Sequence, residues 1–299
     1  MEECALEKRK NNHVKTSCNY HCAANAISKW MNNSGQSTLC VESLSKEAMT
    51  QFENYLLNVR GISRNTSSAY MRSLRAVYNV AVKQNICTDQ HPFSEVYTGI
   101  CKTRKRAMNN IGIQAVITAT LPKHLQLTRD MFVFSFLAHG IAFIDLAKLR
   151  RRNIQGNYLV YQRSKTGQTI SVRITANMQK IITLHTNPSS PRLFPIIGEE
   201  FNQRQYDTAL LRYNRHLRLI SKRCGIQDII TSYTARHSWA SEAYRLEMPM
   251  SVISSCMGHT SETTTRIYLR SLDSSYIDSH CAVVEQSLDK ALTDQYYTH

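Results

Sequence analysis

The stretch that decides the fold runs from Ser232 to Leu269 and reads SYTARHSWASEAYRLEMPMSVISSCMGHTSETTTRIYL. It presents an arginine, a histidine and a tyrosine at positions 236, 259 and 268. Arg236 can donate two hydrogen bonds to the oxygens of one phosphate. His259 follows a glycine suited to a helix C-cap, and the hydroxyl of Tyr268 can serve as a covalent nucleophile. A cation, an imidazole and a phenol are the groups needed to attack a phosphodiester without a metal.

Three short segments of this stretch carry a resemblance to a known family. Residues 235–240 read ARHSWA, residues 257–260 read MGHT, and residues 267–269 read IYL. The combined pattern resembles the C-terminal active-site box of the tyrosine recombinases, also called the phage integrase family. The resemblance covers roughly residues 31–269. It looks most like the Bacteroidetes-type integrases and DNA invertases, which tend to have a tyrosine where Tyr233 stands.

The composition favours a polyanionic partner. The chain has 299 residues, enough for two domains with their own cores. Its 37 Lys and Arg residues exceed its 22 Asp and Glu residues by 15, and its pI is about 9.5. Double-stranded DNA is the simplest such partner, although a merely basic soluble protein could show the same excess. No apolar run is long enough to span a bilayer, and the N-terminus lacks a signal-peptide core. We therefore expect a cytoplasmic protein with no membrane partner.

The cysteines give no sign of a disulfide framework or a metal centre. There are nine, an odd number, and in a cytosolic chain they are best interpreted as reduced thiols. The segment from Cys18 to Cys22, CNYHC, could suggest a metal, but no second ligand pair stands at a zinc-finger spacing. The family resemblance likewise implies no cofactor, neither a metal nor ATP.

Hydrophobic periodicity predicts a mainly α protein with a small antiparallel β-sheet, an α+β fold. Residues 1–12 are polar and charged, so we expect a flexible N-terminal arm. The resemblance implies that residues 13–103 form the helical, SAM-like core-binding domain and that residues 104–299 form the tyrosine recombinase catalytic domain with a C-terminal tail. A possible helix at residues 282–292 would dock on a neighbouring protomer, as in the family, or pack on its own domain.

Two basic segments are candidates for DNA contact. A predicted helix from Thr66 to Gln84 carries Arg72 and Arg75 on its polar side, where they could face DNA phosphates or simply be solvated. A basic run follows at the position of the family's interdomain linker and could touch the DNA backbone. This run contains Lys102, Arg104, Lys105 and Arg106.

The catalytic half should contain helices at residues 110–118 and 128–139, the second beginning at Thr128 and Asp130. Residues 157–163 and 169–174 have strand propensity and flank a turn, which predicts a β-hairpin with Lys165 at its tip. A lone lysine in a turn is ordinarily a solvated charge. The resemblance makes Lys165 the catalytic lysine, which would protonate the departing 5′ oxygen.

The sequence departs from the family pattern at the first catalytic arginine. The family places this arginine between the central helix and the acidic residue that matches Asp145. Here residues 137–145 read LAHGIAFID and contain no arginine, and Ala142 stands at the arginine position. Losing one phosphate-binding arginine should slow the reaction on the order of 10²-fold or more.

Several residues could compensate for this departure. His139 stands where the related integrase branch often has an arginine, and if protonated it could partly replace the missing charge; it could equally be a helix-end histidine without a catalytic role. Arg150, Arg151 or Arg152 could instead reach the site. Tyr233 replaces the histidine of the His-x-x-Arg pattern, and its phenol can still donate a hydrogen bond.

The resemblance implies a site-specific DNA recombinase, an integrase or invertase. Tyr268 would attack the scissile phosphate to form a 3′-phosphotyrosyl bond, while Arg236 and His259 stabilise the developing charge. Four protomers would act pairwise on DNA through a Holliday junction. The main alternative is a catalytically weakened DNA-binding protein of the same fold. A type IB topoisomerase shares the chemistry, and a helical protein unrelated to DNA is the remaining option.

Overall fold

The computed structural model describes residues 1–11, 13–35, 40–101 and 107–269, apart from the side chains of Ile267 and Tyr268. The chain divides into two compact units, Met1–Thr103 and Arg104–His299. The described residues are mainly α-helical with one small antiparallel sheet, which confirms the predicted fold class. No described helix has the length and apolar character needed to cross a membrane. The predicted helix at residues 282–292 lies outside the described residues.

The first unit is helical throughout its described part. Its helices are α1 (Glu2–Lys10), α2 (Val14–Asn33), α3 (Lys46–Asn54), which a π-helical turn at Tyr55–Val59 extends, and α4 (Arg64–Lys83). Ser45 caps α3 by accepting a hydrogen bond from Ala48 N at 3.2 Å, as its sequence position indicated. The apolar faces of α2, α3 and α4 meet in one core. Its members include Trp30, Met49, Phe52, Leu56 and Met71.

The expectation of a flexible arm at residues 1–12 is wrong for residues 2–10, which form α1. This helix packs along α2 and buries Ala5. Glu2 and Glu3 occupy its first turn and basic residues its last turn, so its charges complement the helix dipole. The charged composition suggested disorder, but it is also the composition of a helix with high intrinsic propensity.

The second unit contains the remaining described elements. Its helices are α5 (Asn110–Thr118), α6 (Lys123–Leu137), α7 (Phe143–Lys148), α8 (Ala176–His185), α9 (Gln203–Arg223), α10 (Thr234–Arg245), α11 (Met250–Cys256) and α12 (Glu262–Leu269). Helix α6 is central, and the buried side chains of Leu125, Phe132 and Phe134 anchor the main core around it.

Helix α6 begins five residues earlier than predicted, at Lys123 rather than at Thr128. Thr128 and Asp130 are therefore interior residues and do not cap the helix. Both are buried because each has a distant partner: Thr128 Oγ1 lies 3.1 Å from Nδ1 of His216, and Asp130 Oδ2 lies 2.7 Å from Nε2 of His185. Such long-range partners have no local signal in the sequence.

The sheet consists of three antiparallel strands in the order β1–β2–β3. They are β1 (Ile154–Gln155), β2 (Tyr158–Gln162) and β3 (Thr169–Arg173). The predicted hairpin is confirmed, with Tyr158 opposite Arg173 and Tyr161 opposite Ile170. The two-residue strand β1 was not predicted. Alternate residues of β2 and β3 face the core, and the turn between these strands carries Lys165.

Candidate active site

Helix α10 places Arg236 inside the second unit. Only 2% of this residue is exposed. Its Nη1 donates to the Gly140 carbonyl oxygen at 2.8 Å, its Nη2 donates to the Met257 carbonyl oxygen, and the same Nη2 lies 3.1 Å from His259 Nε2. Gly140 has a φ of +72°, and a Cβ built there would lie 2.6 Å from the Arg236 Cα. The loop after α6 therefore needs glycine at this position to let the arginine helix approach.

The contacts of His259 fix its tautomer. A guanidinium can only donate, so Nε2 facing Arg236 must be the unprotonated nitrogen. The proton then resides on Nδ1, which lies 2.8 Å from the Thr265 hydroxyl and donates to it. Burial, followed by the charges of Arg236, Arg163 and Lys165, lowers the pKa of His259 to about 4. The imidazole is therefore neutral at neutral pH with its Nε2 lone pair facing Arg236, and its expected role in stabilising charge stays a prediction.

The β-hairpin is fastened to the turn that carries His259. Arg163 Nη1 and Thr166 Oγ1 both donate to the Gly258 carbonyl oxygen, the latter at 3.2 Å. On the other side, Ser164 N donates to Asp145 Oδ1 at 2.8 Å. Both contacts hold the base of the turn that presents the predicted lysine.

Lys165 is exposed at the tip of this turn. Its charge helps to lower the pKa of His259, and the next residue, Thr166, donates to the carbonyl oxygen of Gly258, which precedes His259. An ammonium at this exposed position can act as an acid toward a ligand that covers it. The hairpin thus brings Lys165 toward the arginine and histidine of the other two segments.

Arg163 is a site residue that the sequence analysis missed. It is only 8% exposed, and its Nε is buried without a hydrogen-bond acceptor among the described residues. Leu159 and Tyr161, at alternate positions before it, also face inward. The period of two along β2 would therefore have placed Arg163 on the inner face, two residues before Lys165.

Helix α12, which carries Tyr268, contacts the site through two of its buried residues. Thr265 is fully buried against His259, and Leu269 packs with Ala240 and Met257 in a small separate core. These two anchors bracket position 268 along the helix. The side chain of Tyr268 lies outside the described part of the structure.

His139, the candidate for a replacement cation, lies in a largely buried position beside Trp239. It adopts a φ of +56°, its ring centroid lies 5.0 Å from that of Trp239, and its Nδ1 is buried without a partner among the described residues. Burial lowers the pKa of this imidazole below its ordinary value. Burial thus disfavours the protonated ring, and a catalytic role for His139 stays a prediction.

The three arginines after α7 are engaged elsewhere or exposed. Arg150 pairs with Glu199 at 3.6 Å, and Arg151 donates to the carbonyl oxygens of Pro188 and Ser190. Arg152 is exposed beside a cavity of about 350 Å³. Neither of the first two contacts directs its guanidinium toward Arg236.

Tyr233 lies at the edge of the site. It is the N-cap residue of α10, it is 57% exposed, and its ring centroid lies 6.2 Å from that of His237. Its phenol is exposed, and the hydrogen bond that it is expected to donate in place of a histidine stays a prediction.

The two arginines of α4 differ in their contacts. Arg72 Nη1 donates to Ser68 Oγ at 2.8 Å and to the carbonyl oxygens of Thr98 and Gly99 at 3.1 and 2.9 Å. Arg72 therefore holds its own chain, and its predicted role at DNA would require these bonds to be exchanged. Arg75 is exposed and donates only to Thr98 Oγ1, at 3.2 Å, among the described residues. The predicted linker contacts Lys102, Arg104, Lys105 and Arg106 lie outside the described residues.

Comparison with known proteins gives consistent matches. The family model of the phage integrase SAM-like domain matches residues 1–97, and that of the phage integrase family matches residues 108–275. The XerH site-specific recombinase bound to palindromic difH substrate has a TM-score of 0.69 at 15% identity, over 95% of this chain and 84% of that chain. A lambda integrase dimer bound to a COC′ core site has a TM-score of 0.65 at 16% identity, over 91% and 97%. The Tn1549 transposon integrase with circular intermediate DNA has a TM-score of 0.66 at 15% identity, over 94% and 97%. No curated protein matches this chain.

A helical first unit, followed by a mainly helical unit with a three-stranded sheet, is the fold of the tyrosine recombinases. The catalytic family model spans more than half of the residues. The chain belongs to the phage integrase family, and its function is site-specific DNA recombination.

Proposed function

We propose that this recombinase cleaves DNA with Tyr268 and that Arg236, His259 and Lys165 are its other catalytic groups. The observation that carries the proposal is the contact between Arg236 and His259, made inside the unit next to the turn that also receives the lysine hairpin. A buried guanidinium, a neutral imidazole and a nearby ammonium are the groups that transfer of a phosphodiester requires.

The reaction can be written with these groups alone. The phenolic oxygen of Tyr268 forms a bond to the scissile phosphorus, and the bond from phosphorus to the 5′ oxygen breaks. The phenolic proton passes to His259 Nε2 as the Arg236 guanidinium moves from that nitrogen to the phosphate, and Lys165 Nζ gives a proton to the departing 5′ oxygen. Arg236 binds the nonbridging oxygens as their charge grows. The phosphotyrosyl ester retains the bond energy, so a 5′ hydroxyl of a second strand can reverse the step.

The proposed assembly follows the family. Residues 13–103 would bind one side of the duplex and residues 104–299 the scissile phosphates, with exposed Arg75 and the basic run at 102–106 as backbone contacts. A homo-tetramer on DNA would exchange the strands pairwise. The tetrameric form of lambda integrase on a Holliday junction, at 15% identity, is the relative that supports this number. A protein that acts on its host's DNA would work in the cytoplasm.

The test is to trap the covalent adduct. The full chain is mixed with a nicked suicide duplex cut from the DNA that flanks its own gene, and the products are separated under denaturing conditions. We expect a protein–DNA band that Tyr268→Phe abolishes. Tyr158→Phe, at an exposed tyrosine of β2 outside the site, is the matched control and should retain the band. Specific binding without any adduct would instead support a DNA-binding protein that does not cleave.

A further inference from the structure

The site has one guanidinium fewer than its chemistry calls for. Ala142 caps the start of α7 at the position where an arginine was expected, and it brings no charge. Burial disfavours a charged His139, and the arginines that follow α7 face other partners or solvent. A phosphate that gains charge during the reaction would then rely on Arg236 and Lys165 unless another cation is present.

Arg163 lies beside Arg236. Its backbone closes the hairpin turn, with Arg163 N donating to Gln168 O and Gly167 N donating to Arg163 O, both at 2.8 Å. Its Nη1 donates to the Gly258 carbonyl oxygen, while Nη2 of Arg236 donates to the Met257 carbonyl oxygen. Two guanidiniums from different elements therefore bind consecutive carbonyl groups, directly before His259.

The Arg163 side chain lacks the partner that a buried cation needs. It is 8% exposed, and no described carboxylate forms an ion pair with it. The nearest acidic residue in the hairpin contacts, Asp145, accepts from the Ser164 backbone. Its Nε is buried without an acceptor among the described residues. A buried, charged donor without an acceptor is unfavourable, so an anion that enters the site would be bound by it. Arg163 also contributes to the low pKa of His259, which places its charge at the site.

We propose that Arg163 makes the second guanidinium contact to the scissile phosphate and so replaces the arginine that is missing at position 142. This inference rests on the proposed function. Arg163 would bind a nonbridging oxygen through Nε and its second terminal nitrogen, while its first terminal nitrogen keeps the Gly258 carbonyl. The bonds that form and break at phosphorus are unchanged. What changes is the element that presents the charge, namely the hairpin rather than the loop after α6.

The competing explanation is that Arg163 only fastens the hairpin to Gly258. Arg163→Gln separates the two roles, because the amide can still donate to the Gly258 carbonyl but has no charge. We expect single-turnover adduct formation to slow on the order of 10²-fold, with duplex binding and thermal unfolding close to those of the wild type. Arg173→Gln removes an exposed charge from the neighbouring strand and is the matched control. It should cleave at the wild-type rate.

Two further measurements report charge at the phosphate, which a structural role would not affect. A methylphosphonate at the scissile position has one negative charge fewer. On that substrate the ratio of wild-type to Arg163→Gln rates should fall from about 10² to within about tenfold, because less charge has to be stabilised. In the double variant Ala142→Arg/Arg163→Gln, the restored arginine should recover at least about tenfold of the lost rate on the ordinary substrate.

The outcomes separate this inference from the function on which it rests. If the wild type forms an adduct that Tyr268→Phe loses, and Arg163→Gln cleaves at the wild-type rate, the function stands and Arg163 is only structural. The same conclusion follows if the loss in Arg163→Gln is equal on both substrates and Ala142→Arg recovers nothing. If the wild type itself forms no adduct, the proposed function fails and the role of Arg163 fails with it.

Discussion

The hydrogen bond between Thr265 and His259 gives the most direct quantitative prediction. Thr265 is fully buried, and its hydroxyl accepts from His259 Nδ1 at 2.8 Å. Thr265→Val keeps the shape and volume of the side chain but removes the acceptor. Nδ1 would then lose this acceptor while it stays buried, or the ring would turn and lose the direction of its lone pair toward Arg236.

The size of the effect follows from these two possibilities. An unsatisfied buried donor costs about 1–3 kcal/mol, which corresponds to about 5- to 150-fold in an equilibrium. If the ring keeps its place, the free energy of unfolding falls by that amount. If it turns, the fraction of protein with the catalytic orientation falls and cleavage slows by a similar factor. The two losses together should therefore reach at least about 1 kcal/mol.

Urea unfolding and single-turnover adduct formation measure the two parts separately. Thr265→Ser is the matched control, because it keeps the hydroxyl and removes only a methyl group. It should lose about 1 kcal/mol of stability or less and cleave at nearly the wild-type rate. A Thr265→Val protein that both unfolds and cleaves like the wild type would refute the assignment of the His259 tautomer and of its anchor on α12.

Two other predictions concern the surroundings of Arg236. The pKa of His259 is lowered from 6.5 to about 4, so between these pH values the unfolded chain binds more protons than the folded protein. The free energy of unfolding should therefore fall as the pH drops from 6.5 toward 4. Urea unfolding at several pH values should show a shallower fall for His259→Gln than for the wild type, and equal slopes would contradict the shift. Gly140→Ala should lower stability by about 2 kcal/mol or more and strongly slow adduct formation, because its Cβ would meet the Arg236 backbone at 2.6 Å. Gly156→Ala is the matched control, because its φ is +59° but nothing lies within 4 Å of its added Cβ, so it introduces backbone strain without a clash. This variant should cleave at the wild-type rate. Equal losses of cleavage rate in both variants would show that the close approach to Arg236 is not the cause.

The parts of the fold that follow local rules could be predicted from the sequence. Alternating β-branched and aromatic residues around a glycine turn predicted the hairpin, and Ser45 indicated the start of α3. The start of α6 could not be located, because Thr128 and Asp130 resemble capping residues in the sequence. Their actual partners, His216 and His185, lie on other helices and are far away along the chain. Helix α1 was missed for a related reason, since its charged sequence reveals nothing of the face that packs on α2.

The candidate site shows the same division. The motif spacing predicted Arg236, His259 and Tyr268 as candidate site residues. The protonation states of His139 and His259 depend on burial, which has no local signal in the sequence. Arg163 was open to prediction through the period of two along β2. It was passed over because the family pattern directs attention to the loop after α6, where this chain has Ala142.

The placement of Arg163 and Lys165 on one turn has a mechanical consequence. In the described contacts, hydrogen bonds with Gly258, Asp145 and Lys148 hold that turn, and Arg163 itself makes one of the bonds to Gly258. A small outward movement of the hairpin would withdraw both the proposed acid, Lys165, and the proposed phosphate ligand, Arg163. With an arginine at position 142, the same swing would withdraw only the acid. In the proposed mechanism, the position of this one hairpin therefore controls two groups of the site together.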